Sequence, residues 1–196
     1  MSTRRRFLRD GACLALGAAG VVSWQRFPRG GSEAIAEDKP AGAEARVLEL
    51  KLELPKPGAP NAVIVPAVRS GNLLFCSGHI PRDAAGKPIV GKVGKDMETA
   101  KAAEAARNVA LQILGVVRHE LGSLDRVVRV VKVLGMVNCT PDFTETPQVI
   151  NGFSQLLIDV FGEKSGKGAR SAVGMGSLPL GVAVEVEAIF EVRDGN

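Results

Sequence analysis

The sequence predicts an α+β domain in which two helices lie on one face of a mixed, mostly antiparallel sheet. Three observations predict it. Stretches with the two-residue period of a strand open and close the main body of the chain. Between them stand two runs with the three- and four-residue spacing of amphipathic helices. Finally, Val127, Val131 and Val133 alternate with Val128, Val130 and Leu134, so this segment is apolar on both faces and fits a central strand.

Residues 1–36 precede that body and read as an address. Thr3-Arg4-Arg5-Arg6-Phe7-Leu8-Arg9 leads into a small and apolar run from Gly11 to Val22, and Ala34-Ile35-Ala36 offers a cleavage site. The pattern resembles a twin-arginine export signal, which implies the twin-arginine translocation machinery as a partner, delivery to the periplasm and no stable membrane insertion after cleavage. An uncleaved anchor is the competing reading, although the segment is short for a span of ~20 residues. Residues 37–46 have no periodicity and read as a flexible lead-in. The domain is then expected over 47–194, a length suited to one core.

Within it, Leu48, Leu50, Leu52 and Leu54 alternate with Glu49, Lys51 and Glu53, a half-buried strand closed by Pro55 and Pro57. Ala62 to Arg69 is a second strand, Ser70-Gly71-Asn72 a turn, and Leu73 to Gly78 a third strand. Residues 80–94 lose the apolar pattern among glycines and prolines and form a long loop, the usual place for function. Asp96 is expected to cap the helix that carries Ala103, Ala106, Ala110, Ile113, Val117 and Leu121 on one face, and Gly122 to stop it. After the valine-rich strand, Thr146 is expected as the N-cap of a second helix whose first residue is Pro147, with Val149, Ile150, Phe153 and Leu157 inward and Gly162 at its end. Ala169 to Gly174 and Val182 to Val192 complete the sheet. In the last strand Glu185 and Glu187 share the face opposite the valines. A hairpin across Leu178 to Gly181 is expected to lay Arg170 beside that carboxylate pair.

Charge narrows the functional classes. The chain carries 25 basic and 21 acidic side chains, and removing the six and two in residues 1–36 leaves nineteen of each. A neutral mature protein without tyrosine lacks both the clustered basic surface and the stacking platform of a nucleic-acid binder. Of three cysteines, Cys76 and Cys139 outlast cleavage. They either pair in an oxidising compartment or sit as two buried thiols. The two-faced valine strand leaves one sheet face for association between subunits.

Four segments in order carry a family resemblance: Asn72 to Pro81, Gly122 to Val133, Ala169-Arg-Ser-Ala-Val173 and Val184-Glu-Val-Glu-Ala-Ile189. Over roughly 47–193 the chain resembles the Rid (RidA/YjgF, L-PSP endoribonuclease) family, in its YjgF/chorismate mutase-like branch. The resemblance implies a chorismate mutase-like sandwich, a homotrimer with the sheets inside, and three clefts between subunits. It implies that Arg170 binds a small carboxylate through two parallel hydrogen bonds. Glu187 would hold or activate a water, and backbone near Ser77, Gly78 and Ala172 would complete the pocket, with no metal or cofactor. The chain also departs from the deaminases of that family: Ala67 stands for a tyrosine, Ala172 for a cysteine and His79 for a glutamine. His79 is thus either a titratable member of the pocket or a structural residue. Two functions follow as expectations: hydrolysis of enamines or imines to a carbonyl compound and ammonia, or binding of a small carboxylate without chemistry. An endoribonuclease is a third, disfavoured by the charge balance.

Overall fold

The computed structural model describes residues 42–58 and 63–194. The expected export signal of 1–36 lies outside them. The elements in order are α1 (Ala43–Glu49), β1 (Ala67–Ser70), β2 (Leu73–His79), α2 (Thr99–Leu121), β3 (Val127–Asn138), α3 (Thr146–Gly166), β4 (Ala169–Met175) and β5 (Val184–Val192). The five strands form one sheet in the order β1-β2-β5-β3-β4, antiparallel except for the parallel pair of β3 and β4. Helices α2 and α3 pack together against one face. Their Ala106, Val109, Ile113, Val117, Ile150, Phe153 and Leu157 share a single core with Leu74, Val133, Val186 and Phe190 of the sheet. The α+β sandwich expected from the sequence is therefore the fold observed.

The first expected strand, Leu48 to Leu54, does not form: α1 precedes it and runs to Glu49, after which Leu50 and Lys51 make a turn and residues 52–54 have no regular structure. Ala43-Glu-Ala-Arg-Val-Leu-Glu49 is built almost wholly of strong helix formers, and three contacts dock it. The Glu44 carboxylate accepts from Arg118 Nε at 3.1 Å and from the Leu124 N–H at 2.8 Å, and Val47 is buried. The leucine alternation is split: Leu48 and Leu50 remain exposed, while Leu52 and Leu54 pack against the core without joining the sheet. The helix also occupies the second half of the lead-in expected over 37–46. Beyond it the chain runs extended across α2, where a β-carbon on Gly115 would collide with the Pro55 carbonyl.

Helix boundaries shift by small amounts. Glu98, without a side-chain cap, precedes α2, whereas Asp96 gives its N–H to the Lys92 carbonyl in a turn. Gly122 ends α2 in the left-handed conformation, as expected from its freedom at positive φ. Glu145 occupies the cap position of α3; Thr146 is its first residue and donates its hydroxyl to the Ala172 carbonyl at 3.2 Å. Gly162 breaks α3 at φ 78°, and a further turn follows to Gly166.

The expected hairpin between the last two strands does not form. β4 lies parallel to β3, with Arg170 opposite Val133, and β5 lies on the other side of β3, with Ala188 opposite Val133. Parallel neighbours need a crossover connection, and α3 supplies it as a β3-α3-β4 unit. Arg170 and the glutamates are consequently two strands apart.

The sheet's second face is open. Alternation places Val68, Phe75, Leu134, Met136, Val173 and Ile189 there, interspersed with Lys132, Ser171, Glu185 and Glu187. Register links Leu134 with Glu187 and Ser171, and Met136 with Glu185 and Val173. Irregularities between Val127 and Lys132 alter the simple alternation of β3, so Val127, Val130 and Val133 all face the core. Cys76 and Cys139 are buried and unpaired, and burial pushes the Cys76 thiol up to about 12, with Glu120 adding to the rise. Among the described residues no helix is long and apolar enough to cross a membrane.

Candidate functional site

The expected site residues divide between the β4 edge of the sheet and the end of β2. At the β4 edge, Arg170 projects towards α3. Its Nη1 donates to Asn151 Oδ1 at 2.9 Å and to Ser154 Oγ at 3.1 Å, and Nη2 reaches the Pro147 carbonyl at 3.5 Å. Positions 147, 151 and 154 recur on one face of the first half of α3, so one helix frames the guanidinium. Every one of these partners is neutral. Among the described residues Arg170 forms no ion pair. Burial lowers its pKa from the ordinary value, yet a guanidinium remains charged at any physiological pH. The positive end of the α3 dipole lies in the same place. The result is a half-buried cation with uncompensated charge. Ala172, two residues along the same face, packs its methyl against the core and engages its carbonyl with Thr146.

At the other side, β2 ends in Ser77, Gly78 and His79, where its register against β5 shifts between Cys76 and His79. Ser77 is fixed twice: its N–H donates to the Pro66 carbonyl at 2.9 Å and its hydroxyl to the Val65 carbonyl at 2.6 Å. His79 Nδ1 lies 2.6 Å from the Ser77 carbonyl. That acceptor assigns the proton to Nδ1 and leaves Nε2 as a hydrogen-bond acceptor. Burial pushes the imidazole below its usual pKa, against the opposing pull of the Ser77 hydrogen bond, so the ring is neutral at neutral pH. These three residues line a cavity of about 240 Å³ that also meets Arg82 and Gln112.

The carboxylate beside this cluster is Glu185. A β-carbon on Gly78 would collide with its Oε1, so only glycine lets the acid lie against the backbone there. Burial raises the Glu185 pKa above the usual carboxylate range, and the Glu187 charge adds to the rise. Glu187, the acid expected to work on water, is exposed on the same open face and lines a separate depression of about 220 Å³ with Ser77, Lys132 and Leu134. Alternation told that both acids share a face. Which of them meets Gly78 follows from the β2/β5 register and its bulge, for which the sequence holds no local signal.

The structure thus brings Ser77, Gly78, His79 and Glu185 together, and separately Arg170 with Ala172. β2 and β4 are separated by β5 and β3, three strand spacings or ~14 Å, and Arg170 faces the helices whereas Glu187 faces away from them. One protomer therefore does not assemble the expected arginine–carboxylate pair. Among the described residues no cluster of His, Cys, Asp and Glu has the makings of a metal site.

Residues 56–192 match the family model described as Endoribonuclease L-PSP. The protein TCP17 of Trypanosoma cruzi is 42% identical over 150 residues, covering 76% of this chain and 94% of that protein. The protein HMF1 of Saccharomyces cerevisiae is 34% identical over 128 residues, covering 65% and 83%. Among solved structures, the protein Atu1372 of Agrobacterium tumefaciens, whose function is unknown, is 43% identical with a TM-score of 0.70, covering 77% of this chain and 94% of its own. Yeast Mmf1 is 26% identical with a TM-score of 0.50, covering 71% and 94%.

Proposed function

Because the chain belongs to the Endoribonuclease L-PSP (RidA/YjgF) family, we propose that it is a homotrimer binding a small carboxylate on Arg170 in each inter-subunit cleft, where it hydrolyses enamines or imines. The observation that carries this reading is the neutral environment of Arg170. A cation already paired with Glu185 or Glu187 would have no affinity to spare, whereas this one faces only amide, hydroxyl and carbonyl oxygens. A cyclic assembly through the open apolar face sets the β4 edge of one protomer against the β2 end of its neighbour. It thereby joins the two half-sites.

The chemistry follows from those groups. Arg170 holds the substrate carboxylate in a bidentate pair. Glu185, whose pKa is raised by burial, takes a proton from a water as the water oxygen bonds to the imine carbon, and the C=N electron pair moves to nitrogen, which takes that proton from Glu185 to give a carbinolamine. Glu185 then takes the carbinolamine hydroxyl proton and passes it to nitrogen, so that C=O forms as the C–N bond breaks and ammonia leaves. The clamped Ser77 and Gly78 backbone shapes the wall against which this occurs. Export through the twin-arginine route to the periplasm belongs to the same proposal and rests on Arg4, Arg5 and the apolar run after them. A reporter fused to residues 1–36 stays cytoplasmic when both arginines become lysine; export of that variant discards the route.

The test of the activity is ammonia release from freshly generated 2-aminoacrylate. The wild type releases it and Arg170→Ala does not; equal release by the two overturns the reading. Binding without turnover is the second reading, favoured by Ala67 and Ala172, which bring neither hydroxyl nor thiol to the site. Under it, small acids raise the melting temperature in an Arg170-dependent manner and no ammonia appears.

A further inference from the structure

The cavity beside His79 is unused by the reaction described above. It begins at Ser77 and Gly78, where the reacting carbon would lie, and runs between the segment before β1 and the face of α2 that carries Gln112 and Val116. Val65, Ile80 and Val116 give it apolar walls. At its mouth it joins a wide basin, the two sharing Gly58, Arg82 and Gln112. The charges on that basin are Lys51, Lys56, Arg82 and Arg107 against Glu53 and Asp83.

Arg82 stands at the junction and is held there. Its N–H donates to Asn108 Oδ1 at 2.9 Å, it bridges to Pro88, and its Nη1 donates to the Gly86 carbonyl at 2.9 Å. The neighbouring Asp83 does not neutralise it, because Asp83 Oδ1 accepts from the Ala85 and Lys87 N–H groups, both at 2.9 Å, and so holds the turn. Among the described residues Arg82 forms no ion pair. An apolar passage that ends at a fixed, unpaired guanidinium matches a ligand arm with an apolar stem and an anionic tip.

We propose that this cavity is a side-chain subsite with Arg82 as its specificity-determining residue, and that the substrate is a 2-imino acid carrying a second carboxylate at the end of a short methylene arm. The inference rests on the carboxylate-binding reading of Arg170. Arg170 takes the carboxylate next to the reacting carbon, the methylenes lie along Val65, Ile80 and Val116, and Arg82 takes the distal carboxylate. The Gln112 amide offers a further donor beside it.

Calorimetric titration of the purified full-length chain with 2-oxoglutarate and with 2-oxopentanoate, two stable acids of equal chain length, tests this. The wild type binds the dicarboxylate about tenfold more tightly, the value of one charge-assisted hydrogen bond. The ratio falls to about one in Arg82→Ala and inverts in Arg82→Glu. Both variants are at an exposed position, and an unchanged melting temperature confirms that they fold. Arg170→Ala weakens both acids together. Equal affinities in the wild type, or a ratio that survives Arg82→Ala, overturn the subsite and leave the Arg170 reading standing. Binding of neither acid by the wild type, or of both undiminished by Arg170→Ala, overturns that reading and the subsite with it.

Discussion

The β4 edge and the β2 end of the same sheet are built on opposite plans. At β4 a single charge is held by neutral side chains of one helix, with the core behind it and no acid nearby. At β2 a doubly anchored backbone and a neutral imidazole line a shaped cavity, and a carboxylate of raised pKa lies against Gly78 beside them. Under the proposed function the first half supplies affinity without chemistry, and the second proton transfer and shape without an anchor. The difference teaches that one protomer holds the two groups apart, so that the proposed function makes the pair of half-sites its unit and requires a second copy of the chain to join them.

The sharpest way to break the comparison is complementation. Arg170→Ala and Glu185→Gln each abolish ammonia release alone, but unfolding and refolding them together restores about a quarter of the wild-type rate, since one cleft in four draws an intact edge from each parent. A mixture as inactive as its components means that the two edges never meet. Next in size is the contrast between the acids. Glu185→Gln lowers kcat by about a hundredfold or more, the usual loss of a general base, while Glu187→Gln has a much smaller effect; the reverse ranking returns the role to Glu187. The wild-type rate also rises with pH through the elevated Glu185 pKa, and that limb is absent from the Glu185→Gln variant.

Gly78→Ala sharpens the β2 half. Its new methyl meets the flexible end of Glu185, so the acid moves and activity falls about tenfold, with little loss of stability. Unchanged kinetics would show that the close approach is incidental. The smallest effect concerns His79. Its folded pKa lies below the ordinary value, so its contribution to stability is present above about 6.5 and lost as pH falls through the folded value. Between pH 7 and 5 the wild type therefore loses stability relative to His79→Gln, by less than about 1 kcal/mol for a half-buried ring. Denaturant titrations at the two pH values measure it.

Where local signals were strong, sequence and structure agree. The face of α2 and its stop at Gly122, the inward residues of α3, the third strand ending at Ser77 and Gly78, and the alternation of β5 all follow from spacing and backbone preference within one segment. The leucine alternation after Val47 misleads because period two carries information only where a sheet face is there to receive it. Arg118 and Leu124, more than seventy residues away, instead dock the residues before it through Glu44, as a helix that ends at Glu49.

The sequence by itself determined the apolar face of each helix and of β5, that two amphipathic helices must cover one side of a sheet, and that Arg170, Ser77, Gly78 and His79 are the residues to examine for a site. Tertiary structure alone decided that β4 lies parallel to β3 and not against β5, that a bulge brings Glu185 to Gly78, and that Arg170 keeps neutral company. Strand order and register are set by hydrogen bonds and packing between segments far apart in the chain, whose energies appear only when the whole core closes. Local periodicity contains no record of them.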